Sequence, residues 1–197
     1  TVAIAVDPLE GVVLTAPTGV SVERLDRVVR DKARWIVGRL REAAQRPRPG
    51  SAKEFVSGES FAYLGRNYRL RVNPTRAPEP AKLERGWLVV GVDAKSSDAE
   101  RRPAVARSLR DWYLARATDR LEERTTHWAS IVRVAVPTVC VKDQAKRWAS
   151  CDAAGLLRFN WRAIQAPMRL VDYVVAHELV HLLHRDHTRE FWAKLGE

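Results

Sequence analysis

The chain has 197 residues, 46% hydrophobic and 29% charged, an ordinary globular balance that excludes disordered and collagen-like classes and allows one large domain or two small ones. No run reaches the ~18 apolar residues of a membrane span, and two cysteines, Cys140 and Cys151, make no disulfide framework, so a membrane protein is excluded and a cytoplasmic one fits. The net charge of +10 admits nucleic acid or a nucleotide among the partners, although a solvated basic surface satisfies it equally well.

Hydropathy alternates over Val2–Val6 and Val12–Ala16, two strands joined through Asp7–Gly11. Ser21 then caps one long helix with Leu25, Val28, Val29, Trp35, Ile36 and Leu40 as its stripe. Its other face carries arginines, but Glu23, Asp26, Asp31 and Glu42 are interleaved with them. Arg46–Gly50 reads as a linker. Short strands follow at Glu54–Val56, Ser60–Leu64 and Tyr68–Val72, with turns at Ser57-Gly58 and Gly65–Asn67. The sheet continues through Leu83 and Trp87–Val92, with Pro74–Pro80 as a loop.

Asp98–Ala129 forms a second long helix. Val136–Val141 and Leu156–Trp161 are strands joined by a loop that includes Lys146–Gly155. In the second of these, Leu157, Phe159 and Trp161 share one face and Arg158 and Asn160 the other. The order helix, strand, strand, helix is an α+β arrangement. It divides into an N-terminal α+β region, residues 1–95, with one long helix, and a catalytic half, residues 96–197. Thr1 and the end at Gly196-Glu197, which falls inside a helical pattern, read as cut ends.

The last helix carries the chemistry. After Pro167, which suits a first helical turn, the run to Trp192 contains His177-Glu178-Leu179-Val180-His181. Residues at i and i+4 lie on one helix face about 5–6 Å apart, so one zinc ion can bind both imidazoles. Glu178, about 100° around the helix, reaches a metal-bound water as general base without being a ligand. Val171, Val175, Leu179, Leu182 and Leu183 make the opposite, apolar face. A catalytic zinc takes a third protein ligand. His187 is preferred, because five residues past His181 let the helix end and the chain turn back; His184, Glu190 and Cys151 are the alternatives. The turn at His184 suggests a positive φ there. Thr188 is placed to cap a short final helix.

Five blocks resemble the YgjP-like metallopeptidase family, which is similar to SprT-like and other zincin proteins. They are Val56–Glu59 with Tyr63–Tyr68, Lys146–Cys151, Leu157–Trp161, Asp172–His181 and His187–Trp192. Where the family usually has Gly in the second block, this chain has Ala149. The resemblance implies a zincin-like catalytic half, one zinc per chain on His177, His181 and His187, Glu178 as general base, and a Leu156–Trp161 region that borders the cleft. The expected activity is zinc-dependent peptide or protein hydrolysis. The alternatives are a nucleoside triphosphate pyrophosphatase, a label some family members carry, or a nucleic-acid-associated protein with a protease-like metal site. Arg147, Arg158, Asn160 and Tyr173 are the cleft candidates, and Arg147, Arg158, Arg162, Tyr173 and His184 compete as the oxyanion partner. Trp148 and Trp161 read as core.

Overall fold

In the computed structural model, residues 2–7, 11–45, 53–144 and 147–197 are described. The expected linker Arg46–Gly50 and the centre of the first turn lie outside them. The chain forms two compact units, Thr1–Ala52 and Lys53–Glu197. Among the described residues no helix is long and apolar enough to cross a membrane.

The first unit pairs β1 (Ala3–Asp7) antiparallel with β2 (Gly11–Thr15). Two helices follow where one was expected, α1 (Val22–Asp31) and α2 (Ala33–Gln45). Ser21 caps α1 by accepting from the Arg24 N–H. The interruption at Lys32 involves neither Gly nor Pro, so nothing in the sequence announces it.

In the second unit, a four-stranded sheet has the order β3 (Ser60–Tyr63), β4 (Arg66–Thr75), β6 (Trp87–Asp93), β5 (Lys82–Glu84). The β3–β4 turn is Leu64-Gly65, one step earlier than expected. Both residues have positive φ (49° and 77°), the requirement of a two-residue hairpin whose twist matches its strands. Glu54–Val56 is not a strand. The Glu59 carboxylate accepts from the main-chain N–H groups of Glu54 and Phe55, and Phe55 has φ 59°, so this backbone turns instead of pairing. β4 runs on to Thr75 through Pro74. Beyond Arg69 only β6 pairs with it in the ladder, so a missing N–H is tolerated there.

Helix α3 (Asp98–Val132) is the spine. Val105, Leu109, Tyr113, Ala117, Leu121, Thr125, Ala129 and Val132 are its buried residues, a repeat of close to four that puts one stripe on one side. Val105 and Leu109 pack with Leu70, Leu88, Val90 and Val92 of the first sheet. Tyr113 onward packs with Leu157, Phe159, Val171, Val175 and Leu179. Because α3 serves both cores, the expected division at residue 95 falls inside the second unit.

A three-stranded sheet follows, ordered β7 (Val139–Lys142), β9 (Leu157–Asn160), β8 (Ala149–Cys151). β9 is central, parallel to β7 and antiparallel to β8, and Leu157 and Phe159 are fully buried. Part of the expected Lys146–Gly155 loop is therefore an edge strand. Trp161–Gln165 forms a 3-10 turn. Then come α4 (Met168–Val180) and α5 (Arg189–Leu195). The Asp172 carboxylate accepts from Arg124 Nε at 2.5 Å and Trp128 Nε1 at 3.0 Å, fixing α4 on α3. The Leu64 N–H donates to the Ile164 carbonyl, and a Cβ on Gly65 would meet Pro167 at 2.8 Å. Only Gly allows the β3–β4 turn to sit this close to the start of α4.

Candidate metal centre

α4 buries Val171, Val175 and Leu179 and leaves Tyr173 half exposed on the histidine side. His177 and His181 sit one turn apart, and their Nε2 atoms are 3.2 Å apart. The helix ends at Val180, earlier than the apolar pattern suggests, so Leu183 is exposed rather than core. The chain then turns without any positive φ at His184. The Leu183 and His184 N–H groups both donate to the Val180 carbonyl, which tightens the last turn in place of a left-handed residue. Thr188 caps α5 by accepting from the Phe191 N–H.

This turn returns His187 to the helix. Its Nε2 is 3.1 Å from that of His177, and the candidate ligand atoms of His177, His181 and His187 all lie within 4.8 Å of one another. Of the alternatives, His184 contributes its carbonyl, which accepts from His181 Nδ1–H at 3.1 Å. Glu190 sits at the start of α5, its carboxyl held below the ordinary range chiefly by the Thr188 hydroxyl. Neither these residues nor Cys151 joins the cluster.

The donor set fits a zinc ion. The His184 carbonyl fixes the proton of His181 on Nδ1, which leaves the Nε2 lone pair turned inward. A neutral imidazole has one N–H, so His177 Nε2 cannot complement both neighbours by hydrogen bonding, whereas a cation accepts three lone pairs at once. Tetrahedral zinc with nitrogen ligands at 2.0–2.1 Å separates them by about 3.4 Å, close to the spacings of His177 to its two partners. Burial and the two neighbouring rings pull the His177 pKa down to about 4, so it is neutral and ready to ligate at pH 7.

Phe191, fully buried, backs the cluster, with its ring centroid 4.6 to 5.0 Å from all three imidazoles. In the sequence it stands within the short final helix and the His187–Trp192 block, with no role of its own. Its position four residues after His187, one turn of α5 away, was the available signal.

Glu178 is 6% exposed. Burial pushes its carboxyl up to about 7, against the opposing pull of the Cys151 N–H and the Arg147 charge. One oxygen, Oε2, has no hydrogen-bond partner. His177, Glu178, His181 and His187 line one cleft of about 610 Å³ whose far wall is Arg147 and the run Ala149–Gly155. The strand facing the helix is thus β8, not β9. β9 is separated from the cleft because β8 occupies its outer edge.

This displaces two cleft candidates. Asn160 is buried, and its Nδ2 donates to the carbonyls of Gln144 and Arg147 while its Oδ1 accepts from the Arg162 N–H. Arg158 pairs with Asp152 at 2.8 Å, and Arg162 pairs with Asp143. Arg147 and Tyr173 remain, lining one recess with His177 and Glu178. Trp161 is buried, but Trp148 is 59% exposed and lines that same recess, so it is not a core residue.

The family model described as YgjP-like, metallopeptidase domain, matches residues 1–197. Comparison with curated proteins finds no match.

Proposed function

The chain belongs to the YgjP-like metallopeptidase family, and on that premise we propose that it is a zinc-dependent peptidase using Glu178 as general base. Membership makes it a metal-dependent hydrolase. One observation carries the finer reading: three convergent imidazole nitrogens share a cleft with a buried carboxylate that is not one of them. Among the described residues, the one group of His, Cys, Asp or Glu able to hold an ion is imidazole only. That favours zinc over the carboxylate-bound magnesium of most phosphate chemistry.

His177, His181 and His187 hold one metal per chain through Nε2. When bound, zinc supplies Lewis acidity and lowers the pKa of its water to about 7. Glu178 Oε2 takes the proton of the attacking water and returns it to the leaving amine. Its raised pKa suits both steps at neutral pH, and its burial keeps bulk water from competing for the proton. Arg147 and Tyr173, the candidates not tied up elsewhere, supply positive charge and a hydroxyl to the developing oxyanion.

The β8 edge holds the substrate backbone. Trp148 accepts from the Asn160 N–H, and the Asp152 N–H donates to Leu156, so these alternate residues face β9. In an antiparallel ladder the residues between them, Ala149 and Cys151, direct their polar groups to the other side. The Cys151 N–H is turned toward the Glu178 carboxyl, whose pKa it lowers. The Ala149 N–H and C=O and the Cys151 C=O are left to pair an extended peptide.

Zinc-loaded protein assayed against a peptide library and nucleoside triphosphates, with Glu178→Gln as the blank, tests this. Peptide cleavage absent from the blank is the expected result; triphosphate hydrolysis without peptide cleavage overturns it.

A further inference from the structure

Within the second unit the four-stranded sheet packs one face on α3; the described residues of its other face are exposed or half-buried. Leu70, Leu88, Val90 and Val92 point into the core, so by alternation Arg69, Arg71, Trp87 and Val89 occupy the other face. At its Asp93 end this face is crossed by the connection from β4 to β5. A Cβ on Gly91 would meet the Glu79 N at 2.7 Å, so only Gly fits beneath it. At the other end Arg69 and Arg71 are exposed and Trp87 is half-buried.

Arginines gather at that end. Arg69 is directly opposite Trp87 in the β4–β6 register, and the Arg71 guanidinium lies over the Trp87 ring at 4.4 Å. Arg85 stands in the β5–β6 turn, two residues before Trp87. The acids of this sheet have partners of their own: Glu84, opposite Trp87 in the β5–β6 register, and Glu79 both pair with Lys82, Glu59 holds two main-chain N–H groups and Lys53, and Asp93 accepts from the Lys95 N–H. Among the described residues none of Arg66, Arg69, Arg71 or Arg85 has an acidic partner within ion-pair distance, whereas five arginines of α3 do.

We propose that this open sheet end, centred on Trp87, Arg69 and Arg71, binds single-stranded nucleic acid. The charge complementarity is with a polyanion, in a protein of net charge +10. A flat aromatic ring among guanidiniums offers a base something to stack on while the arginines meet phosphates. Arg69 and Arg71 stand about 6.6 Å apart along one strand face, a row that follows a strand of phosphates and not a point charge. The site is separate from the metal centre and does not depend on the peptidase reading.

The test uses the zinc-loaded full chain and fluorescein-labelled 20-nucleotide DNA and RNA single strands of mixed sequence. Anisotropy is followed from 50 to 200 mM salt, with a DNA duplex, polyglutamate and phosphatidylserine vesicles as competitors. Single strands bind, and Arg69→Ala/Arg71→Ala lowers affinity about tenfold or more and reduces the slope of log K against log salt by about 1.4, two phosphates at ~0.7 each. Trp87→Leu costs at least about fivefold, and Trp87→Phe, which keeps a ring, recovers most of it. Zinc content and thermal midpoint confirm that each variant is folded. The 2′-hydroxyl is not part of the argument, so DNA and RNA bind alike. Affinity and salt slope unchanged in the double variant, equal affinity for duplex, or stronger competition by polyglutamate or vesicles overturns the proposal.

Discussion

The carbonyl of His184 accepts a hydrogen bond from His181 Nδ1 at 3.1 Å, which means a ligand candidate is oriented by backbone and not by a side chain. The carbonyl is there because α4 stops at Val180 and the chain tightens behind it. His184→Ala therefore keeps zinc affinity within about threefold in a chelator competition, whereas His187→Ala lowers it by at least about 100-fold. A large loss in His184→Ala would move the ligand role to its ring.

Glu178→Gln retains zinc, because its carboxylate is outside the nitrogen cluster, and loses turnover by about 10²–10⁴, the range of general-base catalysis. Metal analysis and single-turnover hydrolysis on one preparation decide this. Zinc missing from the variant would make Glu178 a ligand.

The metal-free protein carries two opposed titrations. Glu178 rises from an ordinary 4.5 to about 7 on folding, so the folded state binds more protons between those values and this contribution to stability is lost as pH rises through them. His177 falls from 6.5 to about 4, so its contribution is lost as pH falls through that window. Replacing Glu178 with Gln leaves only the second. Denaturant unfolding in chelator should show a steeper rise in stability from pH 4.5 to 7 for Glu178→Gln, which at pH 8 exceeds the wild type by about 1–2 kcal/mol. Parallel curves for the two proteins would contradict the assignment.

Asn160→Ala acts on the fold. It removes a buried side chain that bonds the carbonyls of Gln144 and Arg147 and the Arg162 N–H, at about 1–2 kcal/mol. Its folded fraction should turn over substrate at the wild-type rate. A lowered kcat at full stability would return Asn160 to the cleft.

Arg147→Ala and Tyr173→Phe act on the reaction. Each lowers kcat with little change in KM or thermal midpoint, since neither side chain is buried and both line the recess beside Glu178. Arg158→Ala, which breaks only the pair with Asp152, lowers neither kcat nor kcat/KM. A larger kinetic effect for Arg158 than for Arg147 would reverse the choice between them.

Spacing along the chain singled out His177, Glu178 and His181 as candidates, because a helix fixes which residues share a face, and it made His187 the preferred third member through the room needed to turn back. The Thr188 cap was legible for the same reason: it depends on neighbours within one helical turn. The wall of the cleft was not legible. Whether β8 or β9 lines the cleft is settled by pairing across the sheet, where β9 takes the centre with Leu157 and Phe159 buried in the core and β8 takes the edge. With that order Asn160 is buried, Trp148 is exposed and Arg147 lines the cleft of the candidate metal centre. The helix that serves two cores likewise bridged the expected domain boundary, because its i, i+4 pattern says that a face is buried and not against what.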